Sequence, residues 1–308
     1  MCGIVGYIGN KPAVDILLDG LEQLEYRGYD SSGIAVKCPE EIKVYKAEGK
    51  LKNLREELAP HAYEISKSTL GIGHIRWATH GAPTVVNAHP HTCGCGKLVV
   101  VHNGIIENYK ELKAELEAKG CKFRSQTDTE TVAHLVALIY GEVKDLTKAV
   151  QMATKRLEGA YALCIMHNDE PNKLVATKRN APLVVGVGEN EYYVASDVPA
   201  IIKHTNKAIY IKDNQVVTLT PNSLKLEDEF GGEIIPKVEV LPWEPVALSK
   251  MGFKHFMLKE IHEQPDVIRN ILIGKLHTSD SPIVLDEVKL TKEHLRKLNR
   301  IQVIACGT

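Results

Sequence analysis

The chain has 308 residues, 38 basic and 39 acidic, for a formal net charge of -1, with 44% apolar and 25% charged residues. That length favours about two domains and buries a full core without a metal or disulfide staple. Balanced charge, sparse aromatics and no apolar run long enough to span a bilayer argue against nucleic-acid or membrane partners. The start lacks the basic and apolar regions of a signal peptide, and seven cysteines without framework spacing fit a reducing compartment, so a cytoplasmic protein is expected.

The chain opens on Met1-Cys2, then Gly3-Ile4-Val5-Gly6-Tyr7-Ile8-Gly9, whose apolar, glycine-rich pattern predicts a buried strand. Loss of Met1 would leave a thiol and a free α-amine together on Cys2, and an amine titrating near pKa ~8 can serve as a base. On position alone, an inert buried thiol is the commoner case. Pro12 opens a helix with Val14, Leu17, Leu18, Leu21 and Leu24 on one face. Residues 28–33 predict a tight turn into a strand over 34–37. A short strand over 42–46 and a helix over 51–58 follow. Residues 69–81, TLGIGHIRWATHG, read as a strand entering a loop that gathers Arg76, Trp77, Thr79, His80 and Gly81.

Residues 98–108, LVVVHNGIIEN, predict a buried strand that breaks at Asn103-Gly104, a strong turn dipeptide. A charged helix spans 109–119. Thr127-x-x-Glu130 predicts a capping box for a helix over 129–140, and another helix spans 145–157. Strands are expected at 161–166, 173–178, 183–187, 192–196, 208–212 and 215–220, too closely spaced for βαβ crossovers. The class is therefore α+β, with packed antiparallel sheets and helices outside. Two prolines mark 241–250 as a linker between a domain over 1–240 and a segment over 251–308. That segment predicts a helix interrupted near Pro265 and a closing strand, IQVIACGT, of the kind that opens an α/β unit, so it reads as the truncated start of a second domain.

An amide hydrolase built on a terminal cysteine needs oxyanion donors, each worth roughly 3–4 kcal/mol. Asn103-Gly104 offers a side-chain amide beside an unobstructed backbone N–H, although the dipeptide alone is more often a plain turn. An amino-acid substrate has two charges: Arg76 could hold a carboxylate with its fork and Asp128 an ammonium, although Asp128 also fits a first-turn helix acid. His80 or His102 could instead pair with Cys2 in a cysteine–histidine dyad. His89, His91, Cys93 and Cys95 could ligate zinc, as a regulatory module over 89–95. They alternate by two and lack a second ligand pair, so a solvated loop is favoured and no metal site is assigned. Phosphate-binding, dinucleotide and serine-elbow fingerprints are missing.

Together, CGIVGYIG, EYRGYDSSGIA, HIRWATHG, NAHPH, VVVHNGIIEN and TDTE resemble, in order over the first 240 residues, the N-terminal-nucleophile (class II) glutamine amidotransferases. RWATHG, FMLKEIHEQP and ACGT are similar to the branch that aminates fructose 6-phosphate, the glutamine–fructose-6-phosphate aminotransferases, rather than the branch acting on phosphoribosyl pyrophosphate. The resemblance implies a four-layer αββα sandwich of two antiparallel sheets, glutaminase activity and no cofactor. It implies Cys2 as nucleophile with its α-amine as base, Asn103 and Gly104 as oxyanion hole, and Arg76 and Asp128 as ligands of L-glutamine. Thr79, His80 and Gly81 would line the substrate loop, and Trp77 the mouth of an ammonia passage. In that family a C-terminal domain, missing here, holds fructose 6-phosphate and supports a homodimer making glucosamine 6-phosphate. The run TCGCGK has no counterpart in these motifs.

Overall fold

The computed structural model describes residues 2–78, 81–241, 253, 255–272 and 291–302. Thr79, His80, residues 242–250 of the linker expected over 241–250, and the ACGT terminus lie outside the described residues. The strands are β1 (Gly3–Ile8), β2 (Ser31–Lys37), β3 (Ile42–Glu48), β4 (Leu70–Arg76), β5 (His91–Thr92), β6 (Leu98–Ile106), β7 (Gly159–His167) and β8 (Leu174–Arg179). They continue as β9 (Val184–Val187), β10 (Tyr192–Ala195), β11 (Lys207–Tyr210), β12 (Val216–Thr220), β13 (Ser223–Glu227), β14 (Glu233–Ile234) and β15 (Glu239–Val240). The helices are α1 (Ala13–Gln23), α2 (Leu51–Leu58), α3 (Ala62–Ile65), α4 (Tyr109–Ala118), α5 (Thr129–Val143), α6 (Leu146–Thr154), α7 (Phe256–Leu272) and α8 (Lys292–Arg296).

The strands form an eight-stranded sheet, ordered β15-β11-β9-β10-β1-β4-β2-β3, and a seven-stranded sheet, ordered β14-β13-β12-β8-β7-β6-β5. Every pairing is antiparallel. Side chains alternate across a strand, and β6 shows the consequence. Val99 and Val101 pack inward against Ile4 and Ile72 of the facing sheet, while Leu98 and Val100 pack outward with Val132, Val136 and Val150 of α5 and α6. A strand apolar on both faces must be covered on both, and each fully buried aliphatic side chain contributes about 1.5–3 kcal/mol. On the other side, α1 lies over β1 and β4, with Leu17 and Leu21 above Gly71 and Gly73. The result is a four-layer αββα sandwich, α+β in class.

Three local expectations are corrected. Ser31, Ser32 and Gly33 are strand rather than turn, because Ser31 pairs with Glu48 on one side and Arg76 on the other. The Asn103-Gly104 turn does not form: β6 runs through it, still paired to β7 out to Ile106 and Gly159. Tertiary pairing here overrides a local turn preference. The helix over 256–272 is not interrupted at Pro265, which lies inside it. Leu258, Ile261, Pro265, Ile268 and Leu272 keep one helical stripe across the proline, so one missing hydrogen bond does not end the helix.

The chain divides into two compact units, Met1–Pro245 and Val246–Thr308. Among the described residues no helix is long and apolar enough to cross a membrane. What places the site is the stacking of β1 on β6: the two sheets bring the start of one strand against the far half of the other.

Candidate active site

Cys2 stands directly before β1, which is clamped between β4 and β10. A Cβ at Gly3 would come within 3.0 Å of Leu24 and Ile75, so the chain enters the sheet under tight packing. The Cys2 carbonyl accepts from Arg27 Nε at 3.1 Å and from Asn103 Nδ2 at 3.2 Å. Its Sγ accepts from the Trp77 amide at 3.4 Å and faces the Trp77 carbonyl at 3.5 Å. Burial pushes the Cys2 thiol up, and the Trp77 amide and the charges of Arg76 and Arg27 only partly oppose it. The thiol therefore rests protonated and needs a base to become a nucleophile.

Arg27 proves to hold Cys2 in place. It is buried, and its Nη1 donates to Asp197 Oδ2 at 2.8 Å while Nε holds Cys2. Tyr26 donates to the same carboxylate oxygen at 2.7 Å. A buried guanidinium needs such pairing. Gly28 follows because a Cβ there would lie 2.7 Å from the Trp77 nitrogen, closing the gap through which that backbone reaches Cys2. Asp30 then holds the next turn, accepting from the Ala78 amide at 2.8 Å.

Asn103 is set from the opposite side. His74 Nε2 lies 3.0 Å from both Asn103 Oδ1 and the His102 carbonyl. Both are acceptors, so Nε2 carries the proton, and the Asn103 amide must turn its NH2 toward Cys2. Burial lowers His74 to about 3, so it is a neutral imidazole near pH 7. Gly104 has φ +119°, and a Cβ there would sit 2.0 Å from the Ala160 carbonyl oxygen. Only glycine permits this close approach to β7. Gly104 is exposed, on the same strand as buried Asn103.

Arg76 ends β4 and is 3% exposed. Its Nη1 donates to Ala82 O and its Nη2 to Gly81 O, each at 3.1 Å, so the fork already grips a loop of carbonyls. Burial lowers its pKa, and the charges of Cys2, Asp128 and Asp30 nearby work against that. Gly81 turns the loop at φ +81°, beside Asn87, whose amide donates to Ala82 O and to Gln126 Oε1. Asp128 stands at the N-cap of α5 but makes no side-chain capping bond. Instead its Oδ2 accepts from the Ile106 amide at 2.7 Å and lies 3.9 Å from His102 Nδ1. Its carboxylate is thus turned to β6 rather than spent on its own helix. Trp77 is 44% exposed and meets Tyr29 edge-on at 6.0 Å.

The Thr127–Glu130 capping box does not form. Glu130 accepts from the Arg124 and Ser125 amides and from Ser125 Oγ, while Thr127 Oγ1 bonds Ser125 Oγ and His91 Nε2. The solvated loop expected for HPHTCGC is also corrected: His89, His91 and Cys93 are buried. His89 stacks on His74 at 4.1 Å, and its Nδ1 accepts from the His102 amide at 3.2 Å. His102 Nδ1 bonds Thr129 Oγ1 at 2.9 Å, while the Cys2 sulfur bonds the Trp77 backbone, so this geometry does not form a Cys2–His102 dyad. Among the described residues no group of three or more His, Cys, Asp or Glu is arranged to hold a metal.

Sequence reasoning missed Arg27, Asp30, His74, Asn87 and Asp197. Only His74 carried a local signal, as a polar residue between glycine and isoleucine in an otherwise apolar strand.

Residues 83–203 match the family model of a glutamine amidotransferase domain. The glutamine–fructose-6-phosphate aminotransferase of Symbiobacterium thermophilum is 47% identical over 308 residues, covering 100% of this chain and 50% of that protein. The enzyme of the same name from Clostridium tetani is 46% identical with the same coverage. The chain thus spans about half the length of the curated relatives it matches. In fold it is similar to glutamine phosphoribosylpyrophosphate amidotransferase from B. subtilis, with a TM-score of 0.63 and 26% identity over 74% of this chain and 49% of that one. By its layered sheets, by the grouping of Cys2, Asn103, Arg76 and Asp128, and by these relatives, the chain carries a glutamine amidotransferase domain with the N-terminal-nucleophile amidotransferase fold.

Proposed function

We propose that this chain hydrolyses L-glutamine to glutamate and ammonia through Cys2, and that the ammonia serves amination of fructose 6-phosphate in a domain beyond the described residues. The observation that carries the reading is the Asn103 amide delivered onto Cys2 from a different sheet, 101 positions away. Nothing about a buried inert thiol calls for that arrangement.

With Met1 removed, the α-amine of Cys2 takes the thiol proton, and the thiolate attacks the side-chain carbonyl of glutamine. Negative charge develops on the carbonyl oxygen, where Asn103 Nδ2–H and the Gly104 N–H donate to it. The protonated amine returns its proton to the leaving nitrogen, the C–N bond breaks and ammonia departs. Water, deprotonated by the same amine, then cleaves the thioester to glutamate. Arg76 holds the substrate α-carboxylate and Asp128 its α-ammonium, and the family resemblance gives the substrate loop to Thr79, His80 and Gly81. Exposed Trp77 marks the way out for ammonia. The acceptor assignment rests on whole-chain similarity of 46–47% to the fructose-6-phosphate branch, against 26% to the phosphoribosylpyrophosphate branch.

Two measurements test this. Cys2→Ala should abolish glutamine hydrolysis with the circular dichroism spectrum and melting point preserved; turnover by that variant would end the proposal. The intact mass of active protein should lack Met1, and activity with Met1 retained would rule out the α-amine as base.

A further inference from the structure

The turn between β5 and β6, Cys93-Gly94-Cys95-Gly96, takes no part in the pocket around Cys2. It holds two free thiols with their sulfurs 2.8 Å apart. The pairing is built in by the backbone. The Gly96 amide donates to the Cys93 carbonyl at 2.9 Å, and Gly96 adopts φ +73°. Cys93 is pinned further: its amide donates to the Leu98 carbonyl at 3.1 Å, and its Sγ accepts from the Leu98 amide at 3.4 Å. The two sulfurs differ in access, because Cys93 is buried and Cys95 exposed. Both open on a cavity of 480 Å³ that Lys119, Lys122 and Arg124 also line. Lys119 already pairs with Glu115, while exposed Lys122 and Arg124 attract a ligand bearing carboxylates.

We propose that Cys93 and Cys95 form a redox-active dithiol that reduces small anionic disulfides by thiol–disulfide exchange. The Cys95 thiolate attacks one sulfur of the incoming disulfide, breaking its S–S bond and releasing one small thiol. Cys93, held against it, then attacks the Cys95 sulfur of the mixed disulfide, forms the Cys93–Cys95 bond and releases the second small thiol. Two electrons pass from protein to disulfide, and the two protein thiol protons end on the released thiols. The exposed sulfur is the entry point because the attacked disulfide must reach it in line. Burial pushes the Cys93 thiol up, which suits a resolving thiol that acts only when a mixed disulfide is already adjacent. This inference stands independently of the glutaminase reading.

The test uses the full chain and glutathione disulfide as probe. Fully reduced protein is equilibrated with defined ratios of glutathione to its disulfide, quenched in acid, alkylated and mapped without reduction. The expected result is an internal link between Cys93 and Cys95 with two fewer alkylated thiols. Cys93→Ser should instead trap a stable glutathione adduct on Cys95, and Cys121→Ser should leave the link unchanged. A persistent adduct on Cys95 of the native chain, a link to Cys121, or free thiols at both positions under oxidising ratios would each overturn the proposal.

Discussion

His74 Nε2 and Asn103 Oδ1 stand 3.0 Å apart in the buried layer beneath Cys2, and that single bond decides which way the Asn103 amide faces. Without it the amide can flip and present oxygen, not nitrogen, toward Cys2, where the proposed oxyanion would form. His74→Phe keeps a ring to stack on His89 and removes the donor. We expect kcat for glutamine hydrolysis to fall about ten- to a hundredfold, in the range of lost supporting groups, while KM stays within about threefold. His74→Gln restores a donor and should recover most of the loss. An equal loss in both variants, or a loss confined to KM, would contradict the orienting role.

The same layer makes the fold acid-sensitive. His74, His89, His91 and His102 are all lowered from the ordinary value of 6.5, chiefly by burial. Below pH 6.5 the unfolded chain takes up protons at these positions and the folded chain does not, until about pH 3 for His74. The unfolded state thus binds more protons, and stability falls as pH falls through that window. Each histidine contributes up to about 1.4 kcal/mol per pH unit. Glu130 acts lower: burial opposes it, but His134 3.7 Å away and hydrogen bonds from Ser125 and the Arg124 amide hold it at about 2, so its contribution is lost only below pH 4.5. Urea midpoints should therefore drop steeply between pH 6.5 and 5 and be restored on return to pH 7.5. A flat profile over that interval would show that the imidazoles are not held neutral.

Arg76 grips Gly81 and Ala82 with both terminal nitrogens, a planar geometry that an ammonium cannot copy. Charge-assisted bonds of this kind are worth about 1.5–3 kcal/mol. Arg76→Lys should therefore raise the glutamine KM roughly ten- to a hundredfold, one decade per 1.4 kcal/mol. An unchanged KM would remove Arg76 from the substrate site.

Gly104 has no room for a methyl group, since the Ala160 oxygen lies 2.0 Å from where its Cβ would be. The positive φ adds backbone strain to that clash. Gly104→Ala should destabilise the fold by about 3 kcal/mol and lower the melting temperature, and displace the backbone N–H proposed as an oxyanion donor. A variant with native stability would mean that β6 and β7 can separate at this point without cost.

Much of this was legible because it is local. Continuous apolar runs in 98–101 and 161–166 announce strands, and the helical spacing of Leu17 and Leu21 announces a covering helix. The same locality explains the misreadings. Asn103-Gly104 and Thr127-x-x-Glu130 carry strong short-range signals, yet β7 keeps the first extended, and the backbone at Arg124 and Ser125 claims the carboxylate of the second.

The sequence by itself determined the class, most of the longer strands and helices, and the residue types able to attack and hold an amino-acid amide, because periodicity and side-chain chemistry are written position by position. Only the tertiary structure decided that Arg27 with Asp197 holds the Cys2 carbonyl, that His74 orients Asn103, and that Asp128 turns from its own helix toward β6. Those partners are separated by 170, 29 and 22 positions. Their pairing exists only once two sheets stack and exclude water, leaving each buried polar group to find its partner across the fold.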